Sequence, residues 1–354
     1  MEYQSLHVIG SRTSGGAERF YVRLCAALHA AGHDVLAVNP PASAVARELG
    51  NRAPQRHVKM RGVWDPLARW GLRRIVRNTG APIVQTYMGR ATRLMRVDGA
   101  SSRHIARLGG FYDIKGYRHA DAWVGNTRGI CDHLIAAGLE AKRVFHIGNF
   151  VDPVDRAGLV SSGFRVDHDL PEDCWIVLFT GRLHPNKGVV DLLQALAATP
   201  PVLDGRPLRV LMLGDGPLRD ELERATASLG LGEIVRWLGW VEDPGRYYAN
   251  ADLFVCPSVH EPLGNVVLEA WAHRVPVIAT RSQGPLEIAT DQHDAWLVDI
   301  GDTGGMAGAI ETLLTVDNGL RCELAEAAHQ TLAAAHSSEV ITRAYLDLYD
   351  ALAA

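Results

Sequence analysis

The chain has 354 residues, of which 47% are hydrophobic and 21% are charged, and its formal net charge is −4. This composition excludes disordered and fibrous proteins, and the length allows two domains of ordinary size. No uninterrupted apolar run approaches the roughly 18 residues that a membrane-spanning helix needs, and the five separated cysteines contain no C-x-x-C pair. We therefore expect a cytoplasmic protein without a disulfide framework or a zinc site.

Strand and helix patterns alternate from the amino terminus onward. The apolar segment 6–9 leads through SRTSGGAER into a periodic helical stretch, and segment 35–38 is typical of the next strand. This order indicates a βαβ unit, which belongs to a parallel sheet. Further strands are predicted at 83–86, in the segment ending at Leu108, and at 122–125.

The second half of the chain repeats this alternation. Strands are predicted at 175–179, 208–213, 234–237, 253–255 and 276–279. The weakly periodic segment between 150 and 173 is rich in Asp, Gly, Ser and Pro, which is typical of a hinge. We therefore predict an α/β protein with two doubly wound, Rossmann-like domains, residues 1–155 and 156–339. Ligands are expected in the cleft between the carboxyl ends of their strands.

Charge is distributed unequally between the two halves. Residues 1–150 hold 22 lysines and arginines against 10 acidic residues, whereas the remainder holds 14 against 30. The segment from Arg61 to Arg107 contains ten arginines and only two acidic residues, Asp65 and Asp98. Such a stretch is either a solvated face or a surface for anionic groups such as lipid headgroups. Nucleic acid is not an expected partner, because no stacking motif or helix-turn-helix pattern accompanies the arginines.

The most informative motif is HEPLGNVVLEAWAHRVPVIAT, in which seven residues separate Glu261 from Glu269. The Pro-Leu-Gly turn places the first carboxylate before a helix and the second within it. Gly264 permits close approach of a ligand, and the free N–H groups of the first helical turn favour an anion such as a diphosphate. Asn265, Glu269 and His273 share one helical stripe opposite the apolar face. Alone, the motif also fits an ordinary amphipathic helix.

A cationic motif, GRLHPNKGVVDLLQAL, follows the strand predicted at 175–179. Arg182 offers a planar fork to phosphate oxygens and Lys187 a point charge, so both could stabilise a leaving diphosphate. The glycines between 10 and 16 match neither a P-loop nor the G-x-G-x-x-G fingerprint. Kinase and dehydrogenase functions are therefore disfavoured.

In order and spacing, these motifs resemble the retaining family 4 glycosyltransferases of the GT-B fold, across nearly the whole chain. The resemblance rests on SGGAER, NTRGICDHLIAAGL, FTGRLHPNKGVVDLLQAL, LMLGDGPLRDEL and the E-x7-E motif. It implies transfer of a sugar from a nucleotide diphosphate sugar to a glycan or glycolipid acceptor, with retention at the anomeric carbon. UDP-sugars are the expected donors, ahead of GDP-sugars. No metal ion or other cofactor is expected, and no Asp-x-Asp pair suits a divalent cation.

The resemblance also implies roles for single residues. Glu261 would lie beside the donor sugar, with Arg182 and Lys187 on the diphosphate as catalytic cations. Glu269 would bind the ribose hydroxyls, and Trp240 and Val241 would lie near the base. The other donor-binding candidates are Gly15, Gly16, Gly214, Gly264, Asn265 and Val266, and the cleft candidates are Arg12 and Asn126.

One position departs from the family pattern. Many members carry a His-Gly or His-Asp pair at the end of a middle strand of the first domain, whereas residues 106–110 are ARLGG here. His104 lies nearby and is the catalytic candidate in its place, although such a histidine is also typical of a surface position. Unchanged turnover in His104→Ala would remove this assignment.

The stretch from TYMGRATRLMR to GNTRGICDHL resembles bacterial enzymes that build lipopolysaccharide core or related surface glycans. The basic stretch 61–107 could then contact the inner face of an anionic cell membrane. The segment VITRAYLDLYDALAA is periodic, and the family precedent predicts a last helix, 340–354, that packs on the first domain.

Three alternatives remain open. A sugar-nucleotide epimerase shares the architecture, but the E-x7-E motif is not expected in it. A non-catalytic nucleotide-sugar-binding scaffold would bind donor without turnover, and a glycogen-phosphorylase-like enzyme would hold pyridoxal phosphate on a lysine.

Overall fold

The computed structural model describes residues 3–13, 15–97, 101–161, 163–315 and 318–353. Ser14, Asp98 and Ala354 of the predictions above lie outside the described residues. The chain divides into two compact units, Met1–Asp152 with His336–Ala354, and Pro153–Ala335. We call these the first and the second unit; the predicted domain limits were 155 and 339.

Strands and helices alternate along most of the chain. The strands are β1 (Ser5–Ile9), β2 (Val35–Asn39), β3 (Gln55–His57), β4 (Ile83–Tyr87), β5 (Arg103–Leu108), β6 (Ala122–Gly125), β7 (Val144–His146), β8 (Trp175–Thr180), β9 (Val202–Leu203), β10 (Arg206–Leu213), β11 (Val235–Gly239), β12 (Leu253–Cys256), β13 (Val277–Thr280) and β14 (Trp296–Val298). The helices are α1 (Gly16–Ala30), α2 (Ala44–Leu49), α3 (Pro66–Thr79), α4 (Met88–Leu94), α5 (Arg128–Ala136), α6 (Arg156–Leu159), α7 (Phe164–Asp167), α8 (Val189–Ala198), α9 (Arg219–Ser228), α10 (Gly245–Asn250), α11 (Asn265–Ala272), α12 (Gln283–Ile288), α13 (Thr303–Thr315), α14 (Asn318–Ala335) and α15 (Ser338–Ala353). Short 3₁₀ turns occupy Ile114–Gly116, Ala141–Arg143 and Pro185–Lys187.

The sheet of the first unit has seven strands in the order β3-β2-β1-β4-β5-β6-β7, paired in parallel. The chain builds outward from β1 to β2 and β3 on one side and through β4 to β7 on the other. The order therefore reverses between β1 and β4, and such a switch point is where open α/β sheets bind ligands.

The sheet of the second unit has the order β11-β10-β8-β12-β13-β14, and the short β9 pairs with β10 in the antiparallel sense. Its switch point lies between β8 and β12. Each unit is thus a doubly wound, Rossmann-like α/β sheet, as predicted.

Apolar runs explain the central strands. In β8, WIVLFT, all residues but the last are buried, because a parallel strand is covered on both faces. Val177 and Phe179 pack in one core with Leu192 and Leu196 of α8 and Ile310 of α13. Each fully buried side chain of this size contributes about 1.5–3 kcal/mol to folding, so packing decides the strand.

The C-terminal helix α15 lies in the first unit. Its apolar stripe joins a core that also contains Phe20 of α1 and Ile83 of β4. The buried residues of the stripe are Ile341, Tyr345, Leu348 and Tyr349. The helix therefore completes the hydrophobic core of a sheet that begins more than 300 residues earlier in the chain.

A buried polar network joins α15 to two central strands. The Tyr349 hydroxyl donates to Gln85 Oε1 at 2.9 Å, and Gln85 Nε2 donates to the Tyr87 hydroxyl at 2.7 Å. The Tyr87 hydroxyl lies 2.8 Å from His7 Nδ1, and the Tyr349 hydroxyl lies 3.3 Å from His7 Nε2. Burial, followed by the charge of His33, lowers the pKa of His7 to about 3, so this imidazole is neutral.

The arginine-rich stretch is only partly a surface. Arg61 and, on α3, Arg73, Arg74 and Arg77 are exposed. Arg107 is an exception, because it is 3% exposed at the end of β5, and its predicted membership of the basic surface is corrected here. Among the described helices, none combines the length and apolar content that crossing a bilayer requires.

Candidate active site

Lys187 and Glu261 meet at the switch point of the second sheet. Lys187 ends the 3₁₀ turn that follows β8, and Glu261 lies in the loop between β12 and α11. Lys187 Nζ forms an ion pair with Glu261 Oε2, which also accepts a hydrogen bond from Ser258 Oγ at 3.2 Å. Glu261 is only 8% exposed. Two residues 74 positions apart thus place opposite charges at the predicted ligand edge.

The amino terminus of α11 lies directly after this pair. Gly264, with φ of 93°, is in the left-handed conformation that favours glycine and makes no side-chain cap. The N-cap therefore supplies no capping side chain, and a helix terminus of this kind suits an anion. The apolar face of α11 is fully buried through Val267, Leu268 and Trp271, as predicted.

Glu269 lies within α11 and is partly exposed. Its Oε2 is 3.5 Å from the Tyr248 hydroxyl, which also hydrogen-bonds Thr180 Oγ1 at 2.7 Å. His273 follows the helix end, is buried, and stacks on Tyr248 with ring centroids 5.1 Å apart. The pKa of His273 is lowered overall, because the effect of burial is larger than the opposing effect of its hydrogen bond to the Glu269 carbonyl. His273 therefore packs against Tyr248 and is not on an open ligand stripe.

The glycine turns after β8, β10 and β11 touch one another. Gly214 has φ of 136°, and a Cβ there would lie 1.8 Å from the carbonyl oxygen of Gly181. Its N–H donates to the carbonyl of Gly239 at 2.7 Å. This approach excludes any side chain at Gly214. Trp240 follows at the same edge and is 62% exposed, and Val241 is partly exposed.

Arg182 and the first turn of α11 remain accessible. Arg182 is exposed after β8, and Asn265 and Val266 are partly exposed. All three lie at the carboxyl edge of the sheet, where the motif analysis placed them. No group of three or more His, Cys, Asp or Glu side chains that could hold a metal ion occurs in the described ranges.

In the first unit, Gly15 and Gly16 lie where α1 begins after β1. Gly15 is the N-cap of α1 and, being glycine, has no side chain with which to cap it. Glu18 in the first turn is 6% exposed, and a Cβ at Gly15 would lie 2.9 Å from its Oε2. A carboxylate thus already lies beside this terminus. Arg12 precedes it and is exposed.

Asn126 follows β6 and is 4% exposed. Its N–H donates to the carbonyl of Leu108 at 3.3 Å, which fixes it beside the end of β5. Within the part of the chain that the structure describes, its side-chain oxygen has no hydrogen-bond partner. A buried acceptor without a donor costs free energy unless another group supplies the donor.

His104 does not have the geometry of the missing family histidine. It is the second residue of β5, far from the carboxyl end of that strand, and is 1% exposed. Its Nε2 lies 2.9 Å from Thr86 Oγ1. Burial, followed by the charges of His119 and Arg96, lowers its pKa to about 3. The predicted catalytic role is therefore corrected: His104 is a neutral residue of the sheet interior.

Sequence reasoning missed Ser258 and Tyr248, the partners of Glu261 and Glu269. Both lie in the stretch 237–280 that carries the family resemblance, but no role was predicted for either residue. Their only signal in the sequence is position, since Ser258 follows a predicted strand and Tyr248 precedes one. The hydrogen bonds of the folded chain identify them: Ser258 bonds a residue three positions later in the same loop, and Tyr248 bonds a residue 21 positions later.

Comparison with known proteins assigns the family. The model described as Glycosyltransferase Family 4 matches residues 14–155, and Glycosyl transferases group 1 matches residues 175–316. The chain is 36% identical over 338 residues to the lipopolysaccharide core biosynthesis glycosyltransferase LpsE of Rhizobium meliloti strain 1021, covering 94% of this chain and 95% of that protein. The chain is a family 4 glycosyltransferase. The predicted family is therefore confirmed.

Two further matches agree with this assignment. The glycosyltransferase is 34% identical to the lipopolysaccharide core biosynthesis glycosyltransferase LpsD of the same organism, with 96% of each chain covered. A crystal structure of Anabaena HepE in complex with UDP and glucose aligns with a TM-score of 0.83 at 19% identity, covering 99% of this chain and 100% of that one. The latter likeness concerns the fold.

Proposed function

We propose that this glycosyltransferase moves a sugar from a UDP-sugar to a glycan or glycolipid of a lipopolysaccharide core or another surface polysaccharide, with retention and without a metal ion. The ion pair of Lys187 with Glu261, beside the open amino terminus of α11, carries the proposal. The names of the two Rhizobium meliloti relatives support the pathway, and the UDP and glucose bound to HepE support the donor.

The donor diphosphate would be held by Lys187, Arg182 and the N–H groups at the start of α11. A cation and aligned N–H groups stabilise the negative charge that grows on a leaving diphosphate, which is the task a divalent cation performs elsewhere. Glu269, positioned by Tyr248, would accept hydrogen bonds from the ribose. Exposed Trp240 offers a flat face for the base.

Glu261 would bind the donor sugar as a fixed negative charge. Its Oε2 already interacts with Lys187 and Ser258, and those contacts lower the nucleophilicity of a carboxylate. We therefore favour a front-face mechanism over a covalent glycosyl-enzyme. The carboxylate stabilises positive charge at the anomeric carbon, while the departing phosphate accepts the proton of the acceptor hydroxyl on the same face.

Nucleotide binding gives the first test. Thermal unfolding is measured with UDP, GDP, ADP and CMP in parallel, each with EDTA present. UDP at about 100 times its dissociation constant should stabilise the protein by about 2.7 kcal/mol, which raises the midpoint by several degrees. If one of the other nucleotides raises the midpoint and UDP does not, the donor is not a UDP-sugar. A requirement for added Mg²⁺ would contradict metal independence.

Product analysis separates the remaining functions. Proton NMR of the glycoside product should show the anomeric configuration of the donor. An inverted product contradicts retention, and a new UDP-sugar formed from donor alone indicates the epimerase. Tight UDP binding without transfer to any lipopolysaccharide core acceptor indicates the scaffold.

The face of α3 supports contact with an anionic lipid surface. Trp64 is 81% exposed, Leu67 78% and Trp70 59%, whereas Leu72 on the opposite side is buried. The guanidinium of Arg69 lies 5.5 Å from the ring of Trp64. Trp64 precedes the N-cap of α3, and the other exposed side chains lie in the first turns of the helix. Aromatic and basic side chains clustered in this way suit the interface of an anionic bilayer, where rings bury and cations meet phosphates.

Vesicle sedimentation tests this contact. The protein should sediment with phosphatidylglycerol-containing vesicles and less with phosphatidylcholine alone, and Trp64→Ser with Trp70→Ser should reduce binding at least tenfold, as expected for two lost interfacial aromatic rings. Substitution of exposed Trp240, in the second unit, is the matched control. Equal sedimentation of the double variant would remove α3 as the contact.

A further inference from the structure

Arg107 is a buried cation with neutral partners. It lies near the carboxyl end of β5 and is 3% exposed. Its Nε donates to the Tyr345 hydroxyl at 3.2 Å, its Nη2 donates to Asn149 Oδ1, and its guanidinium lies 3.9 Å from the ring centre of Phe20. These contacts fix the side chain without cancelling its charge. The remaining terminal nitrogen, Nη1, is held in one place.

Nη1 and the carboxamide of Asn126 converge beside Gly109. A Cβ added at Gly109 would lie 3.6 Å from Arg107 Nη1, 3.7 Å from Asn126 Nδ2 and 3.9 Å from Asn126 Oδ1. Asn126 Oδ1 is the buried acceptor that has no partner within the described residues. Gly109 itself is partly exposed, so this point can be reached from outside. Glycine thus leaves room where two donors and one acceptor face the same point.

The chemistry of the three atoms selects a hydroxyl. A hydroxyl oxygen accepts from Arg107 Nη1 and Asn126 Nδ2, and its hydrogen donates to Asn126 Oδ1. A carboxylate or phosphate has no hydrogen for Oδ1. The carboxylate of Glu18 also acts on this region: burial raises the pKa of Tyr112, the charge of Arg107 acts to lower that pKa, and the charge of Glu18 acts to raise it. A second anion is therefore disfavoured.

We propose that Arg107 and Asn126 bind one hydroxyl of a sugar substrate over Gly109 and thereby determine sugar specificity. This inference rests on the proposed function, because it supplies the first unit with a contact for a sugar of that reaction. A site built to hydrogen-bond a hydroxyl discriminates strongly against an analogue without it, since its buried polar groups are then left without partners.

Gly109→Ala tests the site without removing its polar groups. The added methyl group would meet its neighbours at ordinary van der Waals distances, and Gly109 does not have a positive φ, so the fold should persist. Gly62→Ala is the matched control in the first unit, where an added Cβ meets no atom within 4 Å. Asn126→Leu is the second variant and removes the acceptor.

Calorimetry on the full chain uses UDP, UDP-glucose, UDP-galactose and the monodeoxy analogues of both sugars. In the wild type, one deoxy analogue should bind about 10- to 100-fold more weakly than its parent, as expected for lost hydrogen bonds to a charged group. Gly109→Ala and Asn126→Leu should abolish this difference while UDP affinity is unchanged. Gly62→Ala should behave as wild type.

A parallel experiment determines whether the bound hydroxyl belongs to the donor sugar or to the acceptor. Saturation-transfer NMR with methyl α-glucoside, methyl α-galactoside and methyl α-mannoside, in the presence of UDP, should lose its signal in Gly109→Ala if the hydroxyl belongs to the acceptor. The proposal is overturned if this variant changes neither deoxy discrimination nor any glycoside signal. If the wild type binds neither UDP nor a UDP-sugar, the proposed function fails, and this inference fails with it.

Discussion

At the switch point of the second sheet, Glu261 compensates the charge of Lys187, whereas near the end of β5 in the first unit Arg107 donates to the neutral side chains of Tyr345 and Asn149. The first arrangement is electrically complete before any substrate binds. The second leaves Asn126 Oδ1 without a donor in the described structure. A preassembled charge pair suits a reaction in which charge develops, and a buried cation beside an acceptor without a donor suits recognition of a hydroxyl.

The largest effect is expected from Glu261→Gln. Glutamine keeps the shape but removes the charge, so stabilisation of the anomeric carbon is lost. Turnover should fall about 10²- to 10³-fold, with UDP affinity little changed. Release of UDP from the donor in the presence of acceptor measures this rate. Glu233→Gln, at an exposed position in the same unit, is the control. Wild-type turnover in Glu261→Gln would show that the charge of Glu261 does not contribute to the reaction.

Lys187→Met should weaken UDP binding. The methionine side chain is similar in length but uncharged, so the diphosphate loses a charge-assisted contact, and affinity should fall about 10- to 100-fold. Calorimetry with UDP measures the loss. Lys187→Arg keeps the charge and should lose less. Equal losses in both variants would show that the shape of lysine matters and its charge does not.

Two buried, neutral histidines in the first unit predict loss of stability in acid. His7 and His104 have folded-state pKa values of about 3 against 6.5 for an ordinary histidine. Below pH 6.5 the unfolded chain therefore binds protons that the folded unit does not. The contribution of each histidine to the free energy of unfolding is therefore fully present above pH 6.5. It falls by about 1.4 kcal/mol per pH unit between pH 6.5 and pH 3.

Hydrogen exchange of β1 and β5, corrected for the intrinsic pH dependence, measures this loss between pH 7.5 and 5. His104→Asn should reduce the slope, because one proton fewer binds on unfolding; burial also lowers the pKa of His33, His119 and His336, which account for part of the rest. His29→Gln, at an exposed position, should leave it unchanged. An equal free energy of exchange at both pH values would contradict the prediction that His7 and His104 are neutral in the folded unit.

The smallest effect is expected from Tyr349→Phe. Loss of this hydroxyl leaves Gln85 Oε1 without its donor, which should cost about 1–3 kcal/mol. Hydrogen exchange of α15 measures the change, and Tyr3→Phe is a control in the same unit. Unchanged protection of α15 would show that apolar packing alone holds the helix.

Much of the fold followed from pattern. The predicted strand 175–179 corresponds to β8, and 208–213 lies within β10. The edge strands β3, β7 and β14 were not predicted, because each has only three residues and β3, Gln55–His57, is entirely polar. Such segments become strands through pairing with a longer neighbour, which no local window contains.

Candidate site residues were predictable where spacing within one loop and helix defines the geometry. Glu261 and Glu269 are eight positions apart and flank the start of α11, so the motif placed both. Ser258 and Tyr248 were not predictable as their partners. His104 was placed wrongly, because its position on β5 and its burial depend on the neighbouring strands.

By itself, the sequence determined the alternation of strands and helices, the glycine at the start of α11 and the identity of the cations after β8, because these depend on periodicity and short spacing. Only the tertiary structure decided that Lys187 pairs with Glu261 and that Arg107 is buried beside Asn126. The physical reason is that these contacts join residues distant along the chain, and their energy is gained only when the sheets and their helices have packed.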